Sequence, residues 1–401
     1  MPVFNSWCMK NLFFLQKHLL LAMCCSIAFA ITFSQPLFSY GGSEVGKDEF
    51  VRAFKKNINQ IEDRDKSARS YLEMYLAFKL KVKAAKDMRL DTLEHLKYDL
   101  MNFRKRLEND YPINVKEALA KTNFKINPLL KNEDLFRFAD SVTLIKENPR
   151  KYPIAKETLF VMAGTVVKAG DWLNYVKIYK KDIEQYKNES YEELLEKFIA
   201  TTVTKYYRNH LEEYNPDFKF QLQEFKDGNL LFEVMEKKVW SKAASDIDGL
   251  KDFYQKNNDH FLWTASADVI LVNAKSYAYA DYASENIKKG QSWKKIAAES
   301  EGMIQADSAR YEIAQLPVKA GTKMVEGTFS EIERNDADNG AAFVKVIKIY
   351  PAKLQRNFDE AKSLVINEYQ KQLEETWMAE LTKKYPIKIN NAVLQLLIKE
   401  L

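Results

Sequence analysis

Cysteine is almost missing from this sequence: there are three in 401 residues, Cys8, Cys24 and Cys25. Beyond them the chain has no thiol, which excludes disulfides, zinc–thiolate centres and cysteine nucleophiles there. Histidine is as scarce, at four. His18 precedes the first apolar run, and His95, His210 and His260 form no HExxH or HxH pair, so no metal site is expected. Glycine (12) and proline (10) are few, which argues against a loop-rich all-β design. An excess of one charge is lacking too. The 61 basic and 56 acidic residues are interleaved and leave a net charge of +5, so no nucleic-acid surface is expected. Arg104-Lys105-Arg106 reads as a solvated helix face rather than a phosphate clamp.

What is present is an ordinary globular balance, 46% hydrophobic, 13% aromatic and 29% charged, enough for two or three folding units. Lys10, Lys17 and His18 precede an apolar run over 19–33, shorter than the roughly 20 residues of a membrane span. Basic flank, apolar stretch and small residues lay out a secretory signal over 1–34, with cleavage between Ser34 and Gln35. Cleavage after Ala30 is the second candidate. Met9 is an alternative initiator, Cys24 a possible lipoprotein cysteine, and an uncleaved anchor the remaining alternative.

Beyond 35 the pattern is mostly helical. A short strand is expected within 35–45, then helices over 47–57, 67–88 and 93–107, with apolar residues recurring at three- and four-residue steps. Helical character continues over 132–214 with a break at Pro153, and over 225–254 with breaks near Gly228 and Gly249. The period changes between 267 and 350. Strands at 268–272 and 343–350 bracket helices at 279–289 and 292–300, a small α+β unit. A long helix follows from Phe358, capped by Asn357 with Glu360 completing a capping box and stopped by Pro386. Its stripe, Phe358, Ala361, Val365, Tyr369, Leu373, Trp377 and Leu381, needs a helical partner, and the N-terminal helices are the expected one. Residues 387–389 alternate as a terminal strand.

Three motifs lead nowhere. Gly41-Gly42-Ser43-Glu44-Val45-Gly46-Lys47-Asp48 nearly spells a phosphate-binding loop, but Asp48 stands where a Mg²⁺-binding hydroxyl is needed and no apolar strand precedes it. No nucleotide or other cofactor is expected. Asp336-Ala337-Asp338-Asn339-Gly340 has its glycine one place early for a calcium loop and no closing Glu, so it reads as a turn. Asn188-Glu189-Ser190 fits a glycosylation sequon. No GxSxG nucleophile elbow is present.

Residues 45–50, Lys56-Asn57 and 71–82 resemble the N-terminal helical region of SurA-like periplasmic chaperones. Residues 227–240 look like the segment before that family's last parvulin module, and Lys384-Tyr385-Pro386-Ile387-Lys388-Ile389 like its closing helix and strand. The middle, about 113–215, matches only vaguely. The resemblance implies a mainly α fold with a small α+β parvulin-like domain, in which an N-terminal helical chaperone domain is completed by the long C-terminal helix. The expected divisions are 1–34, the signal; 35–255, the helical chaperone region; 256–350, the parvulin-like domain; and 351–401, the C-terminal helix and strand packing on the N-terminal region.

The function implied is an ATP-independent escort for unfolded outer-membrane proteins in a Gram-negative periplasm, without nucleotide, nucleic acid or a membrane span in the mature chain. The alternatives are an active peptidyl-prolyl isomerase and an envelope docking protein. Parvulin modules carry two histidines that organise a polar pocket. Here Val269 stands in the first histidine's place, in Val269-Ile270-Leu271-Val272, and Ala342 in the second's, in Gly340-Ala341-Ala342-Phe343-Val344-Lys345-Val346. Trp293 takes the family's aromatic place in 290–300, and the double-glycine loop is absent. No catalytic residue is therefore expected, and the client-binding residues are left unassigned.

Overall fold

The computed structural model describes residues 35–58, 64–144, 152–182, 188–319, 321–335 and 337–401. The signal expected over 1–34, with Ser34 of its cleavage point, lies outside the described residues, as does Asp336 of the turn. The chain divides into two units. One runs to Val234 and takes back Leu381–Leu401, and the other is Met235–Glu380.

The first unit begins with a hairpin of β1 (Phe38–Tyr40) and β2 (Ser43–Val45). Gly41 and Gly42 turn it at φ +50° and +78°, values that glycine adopts without a Cβ clash. Helices α1 (Lys47–Asn57) and α2 (Arg64–Asp87) follow. Rings fill the space between them: Tyr71 lies edge-on to Phe50 and Phe54, with centroids 5.5 and 5.3 Å apart, and Tyr75 to Phe38 at 6.2 Å. Helix α3 (Glu94–Leu107) comes next. The chain's end returns here. Strand Ile387–Ile389 pairs antiparallel with the free side of β1, Phe38 opposite Ile389 and Tyr40 opposite Ile387, and helix Asn391–Glu400 packs on α1 and α2. Lys47 of the near-miss phosphate loop pairs with Glu400.

The middle of this unit corrects the all-helical expectation for 132–214. Strands β3 (Lys125–Ile126), β4 (Thr158–Met162) and β5 (Thr165–Lys168) form a three-stranded sheet. Ala163 and Gly164, both at positive φ, turn the second pair, the backbone that a two-residue hairpin demands. Phe160 and Val167 of this sheet share a core with Trp172, Leu173, Leu194 and Phe198 of the helices Ala169–Asp182 and Tyr191–Asn209. Arg104 lies at a helix C-terminus, donating to the carbonyls of Arg208 and Asn209 at 3.0 and 3.1 Å and to Glu212. It is a cap rather than merely a solvated charge. Helix Pro216–Met235 runs through Gly228 without the expected break. The glycine has open space around it, and one glycine among good helix formers costs only about 1 kcal/mol.

The second unit has two parts. In one, Leu250 and Phe253 of helix Ile247–Lys256 pack with Phe261 and with Ala361 and Val365 of helix Phe358–Lys384. The first half of the long helix therefore finds its partner at 250–261, where the sequence had suggested the N-terminal helices; only its far end, at Leu381, counts with the first unit. Its capping box is formed as expected: Asn357 N–H donates to Glu360 at 2.8 Å and Glu360 N–H to Asn357 at 2.9 Å. The other part is an antiparallel sheet in the order β7-β6-β9-β8, made of β6 (Ser266–Ala274), β7 (Ile304–Glu312), β8 (Glu333–Asn335) and β9 (Gly340–Tyr350). Helices Tyr277–Lys288 and Trp293–Glu299 cover one face. Trp263 N–H donates to Leu354 and Lys353 N–H to Trp263, each at 2.8 Å, so the chain is pinned where it enters and leaves the sheet. The whole is mainly helical with a small α+β domain, the class the sequence implied.

Candidate functional site

Successive residues of a strand face opposite sides, and β6 separates them cleanly. Ile270, Val272 and Ala274 enter the core beneath the two helices with Ala341, Phe343 and Ile296. Ala267 and Val269 face the other side, with Val344 and Val346 of β9. Val269 and Val344 are fully buried and Val346 nearly so. Leu316 closes over them, with Val318 and Met324 half-buried beside it. The floor of this face is an apolar cluster.

Val269 pairs with Val346, and Ala342 pairs with Asn273. The structure thus places both sequence-assigned positions on one face but does not bring them together. They lie four strand positions apart, roughly 13 Å. A bulge between Asp268 and Val269 sets the lower register. The neighbours of Ala342 are Asn273 on β6 and Glu333 on β8, a polar rim that motif reasoning did not single out because pairing across strands is invisible in a linear string. Lys319 lies 3.8 Å from Glu333 and 2.6 Å from Glu331. Its hydrogen bond to Glu331 raises the ammonium's pKa above its usual value. Trp293 opens helix Trp293–Glu299 and packs half-buried against the opposite, helix-covered core, a place in the core rather than in a site. Gln35 is exposed, and its side chain accepts a bond from Asn390 at 2.9 Å.

No histidine or cysteine follows His260 in the chain, so this sheet has neither side chain to place. Among the described residues no group of three or more His, Cys, Asp or Glu is placed to hold a metal ion, and no helix is long and apolar enough to cross a membrane. This face has a closed apolar cluster at its floor and an ion pair at its rim.

Residues 246–363 match the family model described as the PPIC-type PPIASE domain. This segment is similar to parvulin-type domains. The resemblance drawn from residues 269–272 and 340–346 is therefore borne out for this part of the chain. No curated protein matches the chain. Among solved structures, the foldase protein PrsA of Lactococcus lactis overlaps 60% of this chain and 97% of its own, at 12% identity and a TM-score of 0.22. A SurA-like chaperone of Campylobacter jejuni overlaps 56% and 90%, at 18% identity and 0.20. PrsA of Streptococcus pneumoniae overlaps 61% and 98%, at 14% and 0.22. Scores this low carry no argument about function.

Proposed function

We propose that this chain is an ATP-independent chaperone of a Gram-negative periplasm that holds unfolded outer-membrane proteins, and that its parvulin-type domain has lost the isomerase reaction. The observation that carries this reading is the closed apolar cluster at Val269, Val344, Val346 and Leu316 on a parvulin-type sheet. Rotation about an X-Pro bond faces a barrier of about 18–20 kcal/mol. An apolar cluster already filled by the chain's own side chains gives neither a place for the proline nor hydrogen bonds to the twisting amide.

Binding without catalysis needs apolar surface that is not used in the core. The first unit has it at Tyr98 and Met101, which are three residues apart on one helix face, and at Phe232, Met74 and Leu129, all exposed. Scattered aromatic and methionine contacts suit weak, sequence-tolerant binding. The expected export signal over 1–34 supports an extracytoplasmic setting. The family match itself favours a second reading, an active peptidyl-prolyl isomerase, against which the filled cluster counts. Light scattering tests the first reading. The full chain, without nucleotide, is expected to suppress aggregation of an unfolded β-barrel protein, and no suppression at several-fold molar excess would refute it.

A further inference from the structure

Among the described residues strand β7 is the outermost strand of its sheet, bonded to β6 on one side only. The pairing runs over nine consecutive residues without a register shift. In an antiparallel pair, alternate residues turn their N–H and C=O toward the partner and the others turn them outward. Bonds from Lys275 N–H to the Met303 carbonyl and from Ile313 N–H to the Ala265 carbonyl flank the ladder. By that alternation residues 305, 307, 309 and 311 face β6, and 304, 306, 308, 310 and 312 face away. Residues 307–309 are exposed.

Natural sheets blunt such an edge with lysine, proline or a bulge, or cover it. Strand β7 has no lysine, no proline and no bulge, and Ala306, Ser308 and Ala309 are too small to shield the backbone. Two outward donors are satisfied internally. Ile304 N–H donates to Ser300 Oγ at 3.0 Å, and Ser308 N–H donates to Asp307 Oδ1 at 2.8 Å. The second oxygen of Asp307 accepts from the Tyr311 hydroxyl at 3.1 Å. A carboxylate thus occupies the central edge donor, and Ser300 Oγ, which also donates to the Ile304 carbonyl at 3.1 Å, closes the end of the row at Ile304.

We propose that the outer edge of β7 binds an extended segment of unfolded polypeptide by strand addition, with Asp307 as a displaceable stopper on the Ser308 N–H. The proposal rests on the escort reading and names how the client is held. A row of outward N–H and C=O groups is complementary to another extended backbone and reads no side chain, as a carrier of many sequences requires. The small side chains leave room for bulky client residues beside the strand. A second copy of this chain is a poorer occupant. Two such edges pairing bury far less than the roughly 1,200–2,000 Å² of a stable interface.

The test uses the full chain and a short lysine-capped peptide of alternating valine and threonine, with the same peptide N-methylated at alternate amides as control. Hydrogen exchange is expected to slow at Ala306, Arg310 and Glu312 when the unmethylated peptide binds. Ser308→Pro removes an N–H that the β6 ladder does not use and should weaken binding about tenfold or more. Asp307→Ala frees the Ser308 N–H and should tighten it about threefold. Equal binding by the N-methylated peptide, unchanged affinity in the variants, or no protection along β7 would overturn the proposal, as would dimerisation through this edge. Should Ser308→Pro not fold, Asp307→Ala and the methylated peptide decide alone. Aggregation suppression that persists without these changes sinks the edge site and leaves the escort reading standing; absence of suppression in the unmodified chain sinks that reading instead.

Discussion

The Tyr385 hydroxyl donates a 2.7 Å hydrogen bond to Asp87 Oδ2, joining the chain's C-terminal return to the last residue of helix α2. The Lys83 ammonium shares the same carboxylate and lies 5.3 Å from the centre of the Tyr385 ring. Tyr385→Phe keeps the ring and loses the bond, so chemical denaturation should show a loss of about 1 kcal/mol. The bonds from Lys83 and then Tyr385 hold the Asp87 carboxyl below its usual range. A depressed carboxyl stabilises the fold above its unfolded pKa, and that contribution is lost as pH falls through the folded value. Stability should therefore drop below about pH 4, with a shallower drop in Asp87→Asn.

Among the described residues of the first unit Lys79 is the most deeply enclosed cation, 7% exposed. Its ammonium lies 2.7 Å from Glu49 and 3.3 Å from Asp227, with both the Lys79 and Asp227 side chains buried. Burial acts to lower its pKa, but the two carboxylates together outweigh burial and the net shift is upward. Lys79→Met should destabilise the chain by about 3 kcal/mol, the low end for a broken buried pair, because Asp227 keeps Lys86 at 3.1 Å and Gln223 at 2.7 Å. Adding Asp227→Asn should recover part of that loss in a double-mutant cycle. Additive losses would mean the pair is not coupled.

His260 is the only histidine of the second unit. Its Nδ1 lies 3.1 Å from Glu368, and that hydrogen bond raises its pKa above the usual 6.5. A raised histidine stabilises the fold below its unfolded pKa, and the contribution fades as pH rises through the folded value. Titration followed by NMR should place the His260 midpoint above 6.5 and move it down in Glu368→Gln. An unmoved midpoint would show that the contact does not form in solution.

Local signals were readable where the chemistry is local. Asn357 and Glu360 announce their reciprocal cap three residues apart, and the β-branched runs at 268–272 and 343–350 announce β6 and β9. The hairpin at 158–168 had a signal too, in Thr165-Val166-Val167 beside Ala163-Gly164, but aromatic residues on both sides carried the helical reading across it. Strand β7 has only one β-branched residue, Ile304, so pairing with β6 rather than propensity makes it a strand. The site was legible in type but not in geometry. The valine and alanine substitutions could be read directly, whereas the pairing of Ala342 with Asn273, and not with Val269, depends on register. The bond from Tyr385 to Asp87 spans 298 positions and leaves no trace in a linear string.

A proline-isomerisation assay on the full chain tests the central claim most directly. The account predicts a rate no faster than the uncatalysed one, from a preparation that keeps an unfolded β-barrel protein soluble. Acceleration that persists when Val269 and Ala342 are replaced by other apolar residues would contradict it, because the filled cluster on this sheet would then not be a silenced site.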